Sequence, residues 1–503
     1  MEFDPAIFLA LFEEALGYWW VILPAIFLGL IVGAIPGFSA ANTIIILLPL
    51  AISLPVEIGF VFMIALYASS RMGAGIPAIL VNIPGTAGAA ATPLDGYPMT
   101  QQGRGQQALA ISFVSSALGG LLTTILALLA MPWLAEVAFH LHSVEMIVIM
   151  LFGVSLIATI AAEDTLKGLI AGFFGLMIGS IGADHVYETP RGTMGFLELY
   201  DGVPLIPALV GLFAISEAFS VIDRDSILTE RGKVAMRDSG WGPTIEGMQL
   251  ALSRWWHIIW TSIIGLVIGV IPGAGAAIAS FVAYQQSRTY SKMPELYGTG
   301  HLEGLIAPES ANNGVTSGTL VPLLVIGIPG GATAAIMLVV LQYHGVTMGT
   351  ELFMEKPELA YLPFTTMAVT YFLMLFTIMP LARYMSRVTV VRTVYMAPLV
   401  ISFTLVGAFV PREYQFDMLL ALIFGVIGYI ARKTDYHVAA ILIGIILGPL
   451  LEGFFIRVMK MHQGDVSALF SSTLGNVLWV CLVANLALPY FMKRRRSKKA
   501  AKA

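Results

Sequence analysis

The sequence predicts an all-α polytopic membrane protein built as two inverted-topology repeats, each with broken helices and a re-entrant hairpin. Three observations lead there. Hydrophobic residues make up 57% of the 503 and charged residues only 12%, about half the charged share of a soluble domain. Residues 29–41, GLIVGAIPGFSAA, return as 265–277, GLVIGVIPGAGAA, and NIPGTAG (82–88) returns as GIPGGAT (327–333). The basic residues, counted loop by loop, put the two copies into the bilayer in opposite directions.

The mean hydropathy of +0.84 and the chain length suit ten or more spans of about 20 residues. Backbone facing hydrocarbon must pair within its own segment or within a closed barrel. The apolar runs are too long and too unalternating for barrel strands, so the spans are helices. Cys481 is the only cysteine, which leaves no intrachain disulfide, cysteine zinc site or iron–sulfur cluster. The first 20 residues lack the basic start and small-residue cleavage site of a signal peptide. They are acidic and amphipathic, and Tyr18, Trp19 and Trp20 suit a membrane-interface belt.

In chain order, the first repeat covers residues 1–222. Its first span, about 18–35, ends at Pro36-Gly37, and 38–54 is apolar but interrupted by Ser39, Asn42, Thr43 and Pro49. A span at about 56–72 runs into RMGAGIPAILVNIPGTAGAAATP (71–93), too broken for an ordinary span and expected to form re-entrant half-helices buried in protein. Spans follow at about 107–131, 143–162, 166–183 and 203–222. The charged stretch 223–254 reads as a cytoplasmic linker. The second repeat, 255–492, opens with a span at 255–271 that ends at Pro272-Gly273, and polar-interrupted pieces fill 274–344. Spans are expected at about 360–380, 393–410, 416–431, 436–451 and 468–491, before the basic cytoplasmic tail 493–503.

Placing linker and tail in the cytoplasm puts 19 Lys and Arg inside. Seven lie outside, namely Arg191, Arg288, Lys292, Lys356, Arg412, Arg457 and Lys460, and Arg71 falls within the membrane. Basic residues favour the cytoplasmic side, so the N-terminus is expected outside and the C-terminus inside. Repeats of that kind with unwound helices are a secondary-transporter architecture whose site lies near the midplane.

A Pro-Gly break frees backbone carbonyls that a cation could use, and the start of a half-helix favours an anion. The candidate substrate-binding residues are Ser39, Asn42, Arg71, Asn82, Gly85, Thr86, Asn312, Asn313, Gly330 and Thr333, and the candidate cation-coupling residues are Asn82, Thr86, Glu309, Asn312 and Thr316. The alternative for any single Gly or Ser is tight helix packing. Repetition of the whole Ile-Pro-Gly doublet favours a site, because packing does not require one break twice. Arg71 and Glu309 sit beside the two broken regions, where a charge is expensive and marks function; the alternative is a wet helix end for each. Arg71 suits a carboxylate substrate, and Glu309 suits a proton or a cation. Asp95 reads as a turn cap near the cytoplasmic face. Asp184, His185, Glu188 and Glu198 read as a solvated outer loop or a partner-facing one.

Enzyme and pump signatures are missing from the sequence. It contains no HExxH, P-loop, GxSxG or GxGD motif, so ATP is not expected to be consumed by this chain. Eight scattered His and one Cys give no metal-ligand spacing, and no cofactor is expected beyond a co-transported ion. The basic tail reads as a topology anchor rather than a nucleic-acid contact, since no aromatics interleave it.

GAIPGFSAANT (33–43), IPAILVNIPGTAGAAATPLDGYPMTQQGR (76–104), GVIPGAGAA (269–277), APESANNG (307–314) and GIPGGATAA (327–335) resemble the large membrane subunit of tripartite tricarboxylate transporters, the TctA family. The resemblance runs over about 18–455. It implies a bacterial inner-membrane protein that takes up a di- or tricarboxylate delivered by a periplasmic solute-binding protein. It also implies a separate small four-helix membrane subunit and coupling to an ion gradient. NIPGTAG, GIPGG and APESANNG would line the substrate and ion site. The chain departs from the family at YASSRMGAG (67–75), where a Tyr-Gly-Gly-Ser-like run is more usual. Inward carboxylate movement opposes an inside-negative potential, so cations must accompany it. The many neutral oxygens of the candidate site favour Na⁺, with H⁺ on Glu309 as the alternative. The rival class is a standalone organic-anion carrier or channel with no binding protein.

Overall fold

A computed structural model of the chain describes residues 5–35, 40–161, 165–183, 189–222, 241–272, 275–385 and 393–484. Ser39, Pro36, Gly37, Gly273, the outer loop 184–188 and the basic tail lie outside them. Among the described residues the chain is almost wholly helical, with one two-stranded ribbon, Gly182–Ala183 paired antiparallel to Pro190–Arg191.

The chain begins with α1 (Pro5–Gly17), set at 64° to α2 (Trp19–Gly33). Well over two hundred residues later α13 (Gly242–Ser253) meets α14 (Trp255–Val270) at 72°. Helices α2 and α14 both stop just short of Pro36 and Pro272, as expected where a proline lacks a donor and crowds the preceding turn. The return is made in two pieces in the first case, α3 (Ala40–Ile46) and α4 (Leu48–Ser53), and in one piece in the second, α15 (Gly275–Tyr290).

Next come α5 (Val56–Gly73) and α6 (Gly75–Val81), which run on as a single 26-residue stretch long and apolar enough to cross a membrane. This corrects the expected break after residue 72: Ala74 keeps helical dihedrals, φ −64° and ψ −21°, so the glycines on either side of it do not unwind the helix. Its counterpart α16 (Leu302–Ile326) is also continuous, despite Pro308 and Pro322, and every residue from Gly304 to Val325 is buried. Both then turn in the same way. Asn82 (φ 61°) and Gly327 (φ 74°) adopt the left-handed conformation that ends a helix. The amide of Ile83 donates to Pro77 O (3.3 Å) and that of Ile328 to Pro322 O (3.2 Å). A short turn then leads to α7 (Pro93–Gln101) in one case and directly to α17 (Ala332–Tyr343) in the other.

The glycines explain the turn. A Cβ on Gly85 would fall 2.7 Å from Ala74 Cα and 2.7 Å from Gly33 O; one on Gly330 would fall 2.8 Å from Thr319 Cα and 3.1 Å from Gly269 O. These neighbours correspond through the two repeat offsets, as do Leu30 O beside Gly73 (2.7 Å) and Leu266 O beside Gly318 (2.6 Å). The chain builds one packing motif twice.

Around this centre lie α8 (Gly105–Phe139), α9 (Ser143–Ala161), α10 (Thr165–Gly179), α11 (Leu205–Val210) continued by a π turn into α12 (Ser216–Ile222), α18 (Thr350–Glu355), α19 (Pro357–Met385), α20 (Thr393–Phe409), α21 (Gln415–Lys433) and α22 (Val438–Met461). Helix α1 packs on α19 and α13 on α8. Among the described residues five helices are long and apolar enough to span, or seven with each bent pair as one, against the ten or more expected. Six shorter apolar helices among the described residues, Leu166–Gly179 and Ala332–Tyr343 included, carry further apolar length. The buried polar face of α16 removes it from such a count.

Of the expected linker 223–254, residues 223–240 lie outside the description. Residues 242–253 form α13, tied to the start of α8 by Gln106 Nε2 donating to Thr244 Oγ1 (2.8 Å). The loop after α15 requires a correction. Ser287 Oγ lies 2.9 Å from His257 Nε2, so α15 ends beside the start of α14. Arg288 and Lys292 therefore share an end with Arg254 instead of facing the opposite side. The reason is the break at Pro272, which folds α15 back along α14.

Candidate functional site

The two matched hairpins meet where α5 crosses α16. Tyr67 and Thr319 place their hydroxyl oxygens 3.1 Å apart. One turn further along α5, Arg71 Nη1 donates to Asn312 Oδ1 (3.2 Å) and Nη2 donates to the Tyr67 hydroxyl (2.8 Å). The guanidinium lies 5.0 Å from the Tyr67 ring centre, a cation–π contact that holds it over the crossing. Contacts that advance along α5 retreat along α16, so the two helices run in opposite senses.

Two donors at this crossing have no acceptor. Arg71 Nε and Asn312 Nδ2 are buried and make no hydrogen bond. An unsatisfied buried donor costs about 1–3 kcal/mol, and these two belong to side chains that already touch through Arg71 Nη1 and Asn312 Oδ1. The chemistry of the pair suits a carboxylate, which accepts from a guanidinium N–H and from an amide alike.

Glu309 lies one turn from Asn312 on α16 and is fully buried. Its Oε1 accepts a short hydrogen bond from Thr92, and its Oε2 accepts from Ser112 (2.8 Å) and Ser116 (2.9 Å) of α8. Among the described residues no Lys, Arg or His forms an ion pair with it. Asn313 Nδ2 donates to the Glu309 backbone carbonyl (3.1 Å), and the Tyr371 hydroxyl of α19 donates to Asn313 Oδ1 (3.3 Å). Thr316 is buried on the same helix.

The structure therefore brings Arg71, Glu309, Asn312, Asn313 and Thr316 to one region. Asn42 is buried within α3 and Thr333 in the first turn of α17, while Thr86 is half-buried in the turn before α7. The Asn82 side chain is exposed, and its backbone makes the left-handed turn that Gly327 makes in the other hairpin. Gly85 and Gly330 are required by backbone lying on backbone, whatever the ligand. Ser39 lies outside the described residues.

Tyr67, Thr92, Ser112, Ser116, Thr319 and Tyr371 were not singled out from the sequence. Only Tyr67 carried a signal, standing one helical turn before Arg71 on the same face. Asp95 also has a larger role than a local cap. It is buried in the first turn of α7, where Oδ1 accepts from the amides of Gly298, Gly300 and His301 (2.9, 2.9 and 2.7 Å) and Oδ2 from the Tyr284 hydroxyl (2.9 Å). One carboxylate thus fastens the α15–α16 loop to the first hairpin. Among the described residues no three His, Cys, Asp or Glu side chains converge on a metal-sized site.

Comparison with known proteins points the same way. The model of the tripartite tricarboxylate transporter TctA family matches residues 20–443, which include both hairpins. An Agrobacterium vitis protein described as an uncharacterized 52.8 kDa protein in the TAR-I ttuC' 3' region is 29% identical over 484 residues, 93% of each chain. A second A. vitis protein, uncharacterized and from the TAR-II ttuC' 3' region, is 28% identical over 235 residues, 46% of this chain and 97% of its own. No solved structure matches. With a family match that spans most of the chain and a helical body carrying the paired hairpins, the chain belongs to the tripartite tricarboxylate transporter TctA family.

Proposed function

We propose that this membrane component of a tripartite tricarboxylate transporter is the large subunit that carries a di- or tricarboxylate, or a related organic anion, into the cell by Na⁺ symport. One observation carries the reading: the unpaired donors Arg71 Nε and Asn312 Nδ2 at the crossing of the two hairpins. Both are donors, which suits an anionic acceptor, and each comes from a different half. The opposed run of α5 and α16, whose positions correspond through the repeat, supports inverted topology with the crossing near the membrane midplane. In that arrangement the end bearing Arg104, Arg254 and Arg288 is cytoplasmic and the N-terminus periplasmic, in a bacterial inner membrane. The partners are a small four-helix membrane subunit and a periplasmic solute-binding protein.

Each negative charge moved inward against 100 mV costs about 2.3 kcal/mol, so the substrate cannot accumulate without cations. The test is uptake by proteoliposomes that hold this chain with its small subunit, supplied with the binding protein and a labelled carboxylate. Uptake should require both the binding protein and an inward Na⁺ gradient at fixed pH. Uptake undiminished without the binding protein would make the chain a standalone carrier. Uptake that ignores Na⁺ but fails in Glu309→Gln would give the coupling to H⁺.

A further inference from the structure

We propose that the coupling ion binds in a cage made by Glu309, Thr92, Ser112 and Ser116, one helical turn from the anion site and distinct from it. The inference rests on the reading of Na⁺-driven uptake and assigns that ion a place. The cage gathers five side-chain oxygens from three separate segments: the two of Glu309 from α16, the hydroxyls of Ser112 and Ser116 from α8, and that of Thr92 from the turn before α7. Glu309 is 0% exposed. A buried carboxylate without a counter-charge is expensive, and a single monovalent cation neutralises it.

The ligand chemistry is that of a hard cation: oxygens only, from one charged carboxylate and three neutral hydroxyls. Ser112 and Ser116 can turn their O–H groups to donate to carbonyls one turn earlier on α8 and so offer lone pairs to the ion. Ser115 on the same helix already bonds that way, to Ile111 O at 2.7 Å. The cage also reaches the anion site directly. The segment that supplies Thr92 lies on Asn312 at Gly88, where a Cβ would strike the Asn312 side chain. Ion binding at Thr92 and anion binding at Asn312 thus act on the same short stretch, residues 88–92.

Thermal unfolding of the purified full chain, titrated with NaCl against choline chloride at constant ionic strength and pH, reads the site without transport. Wild type should be stabilised by Na⁺. Thr92→Val and Ser116→Ala should each raise the half-effective Na⁺ concentration at least tenfold, Thr92→Ser should keep it near wild type, and Glu309→Gln should abolish the effect. A merely structural role would lower the melting temperature equally in choline and leave the Na⁺ midpoint unmoved, which would overturn the assignment. Should Glu309→Gln fail to fold, Thr92→Val and Ser116→Ala decide. An unchanged Na⁺ midpoint in both, with uptake still Na⁺-driven, overturns the cage and spares the symport reading. No Na⁺ effect on wild type, with uptake indifferent to Na⁺, overturns both.

Discussion

The two hairpins share their backbone and differ in their charges. Gly85 and Gly330 lie on Ala74 and Thr319, Asn82 and Gly327 make the same left-handed turn, and Pro77 and Pro322 accept the same amide. Along the helices the correspondence ends. Arg71 stands where the second hairpin has Thr316, Tyr67 where it has Asn312, and Ile64 where it has Glu309. The first hairpin brings the cation, and the second brings the carboxyl and the amides. The repeat keeps what the backbone needs for close approach, while the side chains at the crossing differ and bond to one another.

The sharpest way to break that comparison is to remove the charge. Arg71→Ala should lower uptake at least a hundredfold, about 2.7 kcal/mol at 1.36 per decade. Arg71→Lys should restore little, because an ammonium lacks the fork that bonds Tyr67, Asn312 and a ligand together. Measured uptake close to wild type in either variant would mean that the crossing is structural in both halves.

Backbone symmetry is tested next. A methyl on Gly33 would strike the carbonyl of Ser70, whereas one on Gly269 would fall 2.8 Å from that of Val315. Both alanine variants should lose stability by about 1–3 kcal/mol, Gly33→Ala more than Gly269→Ala, as read by thermal unfolding in detergent. Equal losses would show that the two helix pairs are packed alike even here.

Asp95 lies beyond the matched turns, in a helix that starts later after its turn than α17 does. Asp95→Asn removes the charge from the bonds to three amides and should destabilise by about 1.5–3 kcal/mol. Hydrogen exchange at Gly298, Gly300 and His301 should quicken, and unchanged protection would show that the loop is held by other contacts.

The smallest effect belongs to the turn residues. Both asparagine and glycine accept the left-handed conformation, so Asn82→Gly and Gly327→Asn should each alter stability by less than about 0.5 kcal/mol. A large loss of uptake in Asn82→Gly with stability intact would instead make the exposed Asn82 side chain a ligand, as the sequence suggested.

Much of this was legible in the chain. The repeated Ile-Pro-Gly elements marked the hairpins, and the breaks at Pro36 and Pro272 follow from proline's missing donor. Arg71 and Glu309 stood out because charges are rare in such apolar surroundings. The continuity of α5 with α6 was hidden because Gly73 and Gly75 permit a break without enforcing one. The fold-back that moves Arg288 and Lys292 to the linker's end was hidden too, since an apolar run reads the same whether it crosses or returns.

What the sequence determined by itself is local: where helices stop, which residues tolerate a left-handed turn, and which charges need a reason to be buried. Those follow from backbone sterics and from the cost of desolvation, which act on each residue where it stands. Which residues meet was decided by the tertiary structure alone. Thr92, Ser112 and Ser116 are ordinary small polar residues until α16 brings Glu309 among them, some two hundred residues away in the chain. Arg71 gains its meaning only when Asn312 crosses it from the other half, because a hydrogen-bond partner depends on distance in space and no periodicity along the sequence records it.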